Sequence, residues 1–286
     1  MLRYSTSLTG TISLIRVHNL IGVALLSLAS IAWSGKPWTA SAVASISLGF
    51  VCIAAAGYAW NDLRDQPIDR LNRSTRPLVS QSVTPRIAYL VSAMGSLIGT
   101  LLMAKFGMIG IVAALVTVGA LFLYSLGLKN NAGFVGNLMV AACVAEIPFL
   151  VGILTGDIGR MAPLVATNFG LMLMREILKD LEDEYGDRAW KRQTLAAAPR
   201  TILDAILFGS LAVAVVGETA TAWMITNWPL RVIMLALVPS ILVVILCWKR
   251  DRPLSLHFTQ RAVRIMAFIY VLTVLIAGWC GAVEGK

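Results

Sequence analysis

The chain is a succession of apolar runs, each close to the length that crosses a bilayer. They lie at 12–33, 40–60, 85–105, 107–127, 133–154, 160–179, 201–219, 230–248 and 263–282. A membrane-crossing helix needs about 20 such residues, because hydrocarbon offers no partner for an unpaired peptide group. Ten-residue alternating strands, the mark of a membrane barrel, are absent from the sequence. The composition agrees: 58% of residues are hydrophobic and 14% charged, and mean hydropathy is +0.78. A soluble domain carries about a quarter charged residues. The expected fold class is all-α and polytopic, about nine transmembrane helices in one bundle, residues 1–286 forming a single domain with a central cavity open to the cytoplasmic side. Short breaks such as SGKPWT, LKNNAG and KRDRP punctuate the runs. Trp33, Trp60, Trp228 and Trp248 stand near span ends and read as interface anchors.

The net charge of +9 raises the question of nucleic acid. The bases form no separate soluble domain and match no nucleic-acid motif, so that partner is rejected. They report topology instead. With nine crossings and the N-terminus inside, 19 of the 24 Lys and Arg residues fall on the inner side. The positive-inside rule then places the N-terminus in the cytoplasm and the C-terminus outside. The cysteines Cys52, Cys143, Cys247 and Cys280 are scattered through apolar runs without ligand spacing, and read as small core side chains. The opening MLRYSTSLTG lacks a cleavage pattern, so the first run is expected to be a retained helix.

Against this background, the acidic residues are concentrated. Nine of the 15 lie within 62–69 and 176–187. Asp62, Asp65 and Asp69 have the spacing D-x-x-D-x-x-x-D, and so do Asp180, Asp183 and Asp187. Both clusters follow an apolar run on the same expected side, so they can face each other. On a helix, i+3 lies about 60° and i+7 about 20° from residue i, so the second triplet shares one face. In the first, Pro67 is expected to end or kink the helix, leaving Asp69 just beyond the break. A solvated face paired with Arg70, Arg73, Arg76, Lys179 and Arg188 would account for one such cluster. Two of one design on one side point to cations held between carboxylates. Oxygen donors favour Mg²⁺, which commonly bridges carboxylates to phosphates. With only His18 and His257 in the chain, zinc is disfavoured. Neighbouring bases suit further phosphate charge. Side-chain chemistry thus points to a Mg²⁺–diphosphate site at the inner face, beside helices able to hold a lipid tail.

These stretches resemble a known family. NDLRDQPID (61–69) and KDLEDEYGD (179–187) are similar to the paired signatures of the UbiA superfamily of intramembrane prenyltransferases. RPL (76–78), LYSLGLK (123–129), GFVGN (133–137) and IRVHN (15–19) extend the likeness over about residues 12–200. The last three runs match only in hydropathy. The resemblance implies transfer of a prenyl group from its diphosphate, with two Mg²⁺ held by Asp62, Asp65 and Asp69 and by Asp180, Asp183 and Asp187. It makes Asn61 a support for metal or diphosphate. Arg16, Arg70, Arg76, Lys129 and Lys179 become phosphate contacts, unless they only set topology. Tyr124 is a candidate for cation stabilisation or an interfacial tyrosine, and Asn19 faces the cavity or bonds between helices. Glu176 and Arg175 are expected to pair. Glu146 is left without a role.

REILKDLEDEYGD and IDRLNRSTRPL resemble most the archaeal members that make ether lipids, the digeranylgeranylglyceryl phosphate synthases. That branch implies geranylgeranyl diphosphate as donor and geranylgeranylglyceryl phosphate as acceptor. An aromatic acceptor such as 4-hydroxybenzoate is the alternative. RAWKRQTLAAAPRT, with Ala and Pro where relatives have a Gly-rich turn, is a departure that bears on the acceptor loop. No obligatory protein partner is implied beyond membrane lipid. A polytopic transporter is the competing class, but its carboxylates more often lie in mid-span.

Overall fold

The computed structural model describes residues 7–72, 75–128, 133–184, 194–246 and 253–284. They form ten α-helices: α1 (Leu8–Leu14), α2 (Val17–Trp33), α3 (Ala40–Asn72), α4 (Pro85–Met103), α5 (Gly107–Leu123), α6 (Gly133–Thr155), α7 (Ile158–Glu182), α8 (Arg200–Met224), α9 (Trp228–Leu246) and α10 (Pro253–Trp279). Among the described residues there is no strand, only one isolated antiparallel bridge, Ile225 to Val283. Each of the nine apolar runs overlaps a helix, the first being divided between α1 and α2.

Six stretches are long and apolar enough to cross a membrane: Ala40–Pro67, Pro85–Gly127, Gly133–Thr155, Ile158–Glu182, Arg200–Met224 and Leu256–Trp279. The pair α1 and α2, bent by 51°, makes seven if it counts as one span. These numbers refer to the described residues, and they fall short of nine partly because α4 and α5 form one apolar stretch. A 3₁₀ turn, Ala104–Phe106, and Gly107 at φ +65° interrupt that stretch.

The helices gather into two compact units. The first contains the chain up to Ala24 and Ala40–Gly136. Here α3 and α4 pack through small residues. A Cβ on Gly99 would stand 2.6 Å from Ile53 Cγ1, and one on Gly95 2.7 Å from the Cys52 carbonyl oxygen. Such close backbone approach is the usual way helices bind each other in lipid. Near the ends of these helices, Leu14, Ala59, Leu78, Val83 and Ala88 form a buried cluster with Leu63, Ile87 and Val91 packed on it.

The second unit contains Leu25–Thr39, Asn137–Glu184 and the chain from Thr194. Helix α7 starts at an Asp157 cap, whose side chain accepts from the Arg160 amide at 3.0 Å. It packs on α8 through Gly170, where a Cβ would stand 2.5 Å from the Ser210 carbonyl oxygen and 2.6 Å from the Ala214 nitrogen. Arg160 joins separate stretches of this unit, donating from Nε to the Trp33 carbonyl at 2.7 Å and from Nη1 to the Glu284 carbonyl at 3.1 Å. Trp33 returns a bond from Nε1 to the Arg160 carbonyl at 3.1 Å. Trp33 is fully buried, which corrects its reading as an interface anchor: its indole N–H has a protein partner in the interior. Trp60 is likewise packed, stacked on Phe122 with centroids 4.6 Å apart. Trp228 is exposed as expected. Trp248 and Cys247 lie outside the described residues.

Candidate active site

In the first unit the acidic triplet sits on one continuous helix. The chain does not break at Pro67; α3 runs through it to Asn72. Proline removes the hydrogen bond to the Leu63 carbonyl and costs roughly 3 kcal/mol in a helix interior. Local packing offsets that cost. Leu63 packs on the buried cluster, and Gln66 donates from Nε2 to the Leu78 carbonyl at 3.2 Å. Asp69 therefore stands on the helix, not beyond its end. By helical geometry it lies about 20° from Asp62, with Asp65 about 60° away. All three are buried, Asp62 at 1%, Asp65 at 6% and Asp69 at 7% exposure.

Two arginines converge on Asp62. Arg16 donates from Nη2 to Asp62 Oδ1 at 2.7 Å, and Arg76 from Nη1 to the same oxygen at 3.0 Å. Arg16 occupies the break between α1 and α2 at φ +53°, in the left-handed region that side chains rarely adopt. Its guanidinium also lies over the Tyr58 ring, 4.7 Å from the centroid. Arg76 is held by a turn in which its carbonyl accepts from the Val79 and Ser80 amides at 2.9 and 2.8 Å. The other Asp62 oxygen, Oδ2, is buried without a hydrogen-bond partner. A buried carboxylate oxygen left in this state is unusual and suits a bound cation.

Asn61 and the end of α5 complete this half. Asn61 donates from Nδ2 to Asp65 Oδ2 at 2.8 Å, and its Oδ1 accepts from Ser125 Oγ at 3.4 Å. Tyr124 is buried and opens a π-helical turn, Tyr124–Leu128, that follows α5. Arg70 is exposed, and Asn19 is half-buried in the first turn of α2. Lys129 lies outside the described residues.

In the second unit, Asp180 is buried on α7 and accepts from Asn137 Nδ2 at 2.8 Å. Asp183 caps the same helix, its amide bonded to the Lys179 carbonyl at 2.9 Å. Glu176 shares their face, one turn earlier, and is buried. Arg175 Nη1 reaches Glu176 Oε1 at 3.1 Å, the expected pair, and Lys179 Nζ reaches Glu176 Oε2 at 3.4 Å. Lys179 thus has a carboxylate partner where a phosphate contact was expected. Asp187 lies outside the described residues. The sequence reading gave no role to Asn137, although GFVGN drew attention to its stretch.

Among the described residues, no three Asp, Glu, His or Cys side chains are gathered closely enough to enclose an ion. The donor chemistry nevertheless suits Mg²⁺. Asp62, Asp65, Asp69, Asp180 and Asp183 offer hard oxygens, and Asp62 keeps one buried oxygen unpartnered.

Comparison with known proteins supplies an independent line. The sequence profile of the UbiA prenyltransferase family matches residues 20–272. Digeranylgeranylglyceryl phosphate synthase of Pyrococcus abyssi is 30% identical over 283 residues, covering 93% of this chain and 95% of its own. That of Ignicoccus hospitalis is 34% identical over 203 residues, 67% of this chain and 65% of the relative's length. A solved structure concerning digeranylgeranylglyceryl phosphate synthase in membranes superposes with a TM-score of 0.75 at 19% identity, covering 96% of this chain and 99% of the other. A UbiA homologue from Archaeoglobus fulgidus, bound to DMAPP and Mg²⁺, superposes with a TM-score of 0.69 at 16% identity, covering 93% and 98%.

Proposed function

The chain belongs to the UbiA prenyltransferase family, and on that premise we propose that it transfers a geranylgeranyl group from geranylgeranyl diphosphate to the glycerol hydroxyl of geranylgeranylglyceryl phosphate. The observation that carries the reading is Asp62, buried with one oxygen between two arginines and the other unpartnered. Family membership gives that arrangement a chemistry. The acceptor assignment draws support from the relatives, several of which are digeranylgeranylglyceryl phosphate synthases at about 30–37% identity.

Asp62, Asp65 and Asp69 are proposed as one set of Mg²⁺ ligands and Asp180, Asp183 and Asp187 as a second, for two ions in all. Bound there, Mg²⁺ would neutralise charge on the diphosphate as the allylic C–O bond breaks. The chain's own groups do the rest. Asn61 holds the Asp65 carboxylate in one orientation, and Asn137 does the same for Asp180. Such outer partners typically change metal affinity or activity 10–100-fold. Arg16 and Arg76 place two positive charges beside Asp62. They can turn to phosphate oxygens as the carboxylate takes up a metal, because guanidinium serves either anion. Arg70, Lys129 and Lys179 are further phosphate contacts in this reading. The buried Tyr124 is proposed to stabilise the allylic cation. The acceptor hydroxyl oxygen bonds to C1 of the prenyl chain, diphosphate leaves with the electrons of the C–O bond, and the hydroxyl proton is released.

The proposed setting is a cell membrane crossed nine times by one prenyltransferase domain, residues 1–286, with the N-terminus in the cytoplasm and the C-terminus outside. The test is a reconstituted assay with geranylgeranyl diphosphate and Mg²⁺, offering geranylgeranylglyceryl phosphate or 4-hydroxybenzoate, with EDTA as control. Product from the glyceryl phosphate alone, lost in EDTA, is expected. Product from the aromatic acid alone would keep the prenyl transfer and overturn the acceptor.

A further inference from the structure

Within the second unit, far from its acidic motif, a carboxylate lies buried without a partner. Glu218 of α8 is 0% exposed, and neither of its oxygens has a hydrogen-bond partner. Hydroxyls from three helices meet beside its stretch of α8. Thr221 lies one turn further along α8, Thr167 belongs to α7 and Tyr270 to α10, and all three are buried. Thr221 Oγ1 and the Tyr270 hydroxyl are 3.0 Å apart. Thr167 also lies beside the Tyr270 hydroxyl, and Glu218 is near enough to act on that phenol electrostatically. Gly217 lets Thr167 approach: a Cβ there would overlap Thr167 Oγ1. The group is about 20 Å along α7 from Asp180, at roughly 1.5 Å per residue from Thr167.

The placement of protons decides what this group can hold. Thr167 Oγ1 donates to the Pro163 carbonyl at 2.9 Å, and Thr221 Oγ1 donates to the Gly217 carbonyl at 2.8 Å. With the Thr221 proton engaged, the Tyr270 hydroxyl is the donor in their contact. All three hydroxyl protons are then committed, and none reaches Glu218. Among the described residues no hydroxyl, Lys, Arg or His pairs with the carboxylate. An ionisable group in a membrane interior requires a counter-charge and is a functional site by default. One positive charge balances one carboxylate, whereas a divalent ion would leave a buried surplus. A proton would neutralise the carboxylate but leave its second oxygen without a donor. A small metal cation accepts several oxygens at once.

We propose that Glu218, Thr221, Tyr270 and Thr167 form a buried site for a monovalent metal cation, with sodium as the ion of fitting size and hardness. The test uses the full chain in lipid nanodiscs, with thermal unfolding followed in sodium chloride and in choline chloride at equal ionic strength. Sodium should raise the midpoint by about 3 °C or more as the site saturates, and the Glu218→Gln variant should show no such rise. Equal midpoints in the two salts overturn the proposal, and so does a sodium response that survives in Glu218→Gln. A midpoint that follows pH while ignoring sodium also overturns it, because a proton then neutralises the carboxylate. Should the variant fail to fold, radiolabelled sodium is offered to the unmodified protein. Saturable binding of about one ion per chain supports the site; its absence overturns it.

Discussion

In the proposed reading, Asp62 serves two states of the protein with one side chain. Its Oδ1 is shared by Arg16 and Arg76, so the buried carboxylate is stable before any ligand arrives. Its Oδ2 is available to a cation. Replacing Asp62 by Asn keeps the shape and removes the charge. The expected result is at least a 100-fold loss of prenyl transfer with normal membrane insertion, checked by product formation and size-exclusion profile; near-normal turnover would remove Asp62 from the ligand set. Asn137→Ala should act more gently. It leaves the Asp180 carboxylate in place but without its 2.8 Å partner. A 10–100-fold rise in the Mg²⁺ concentration needed for half-maximal rate is expected, with the maximal rate largely retained at saturating metal. Spacing marks the two aspartate triplets as candidates in the sequence, and the structure adds the burial of Asp62, Asp65, Asp69 and Asp180. Asn137 was not legible, since an amide that orients another residue has no spacing signature of its own. The pairing of Arg16 with Asp62 was hidden for a related reason: it depends on a left-handed residue between two helices, and nothing in the local composition requires one.

At the level of the helix, every apolar run fell on a helix, because a membrane helix must be apolar over most of its length, although α1 and α2 were read as one run. Proline was the less reliable guide. Pro67, Pro148 and Pro163 all lie inside helices. In lipid or a packed bundle, a helix that stops would expose several peptide groups, whereas continuing past a proline forgoes one bond. That asymmetry is why Asp69 stays on α3. Packing between helices rests on glycine, as at the crossing of α7 and α8. Gly170→Leu must push a side chain into the α8 backbone at Ser210 and Ala214. Overpacking of this kind costs about 1–3 kcal/mol. A lower unfolding midpoint in detergent is expected, with Gly209→Leu as a control, because nothing lies within 4 Å of a Cβ at Gly209. Equal midpoints for the two variants would mean that the α7–α8 contact is not tight.

For the whole chain, the charge distribution makes a prediction that backbone coordinates do not. The proposed nine crossings put 19 of the 24 basic residues on the inner side and the termini on opposite sides. In a bacterial host, a C-terminal alkaline phosphatase fusion should be active and a C-terminal fluorescent-protein fusion dark; the reverse pattern would overturn the outside C-terminus. The extended apolar stretch Pro85–Gly127 bears on the chain's history as well as its topology. It is the least enclosed of the six, with 17% of its most apolar window buried. Leu90, Leu101, Met108, Leu115 and Val116 all point away from the protein, while Gly99 lies against α3. Lipid tails accept any oily side chain, but a helix crossing at backbone distance accepts almost nothing beyond hydrogen. Along this stretch, substitutions accumulated over descent should therefore alternate between near-free exchange of one hydrophobe for another and long immobility at the crossing glycines, leaving in the sequences of its lineage an imprint of which surfaces have faced the bilayer.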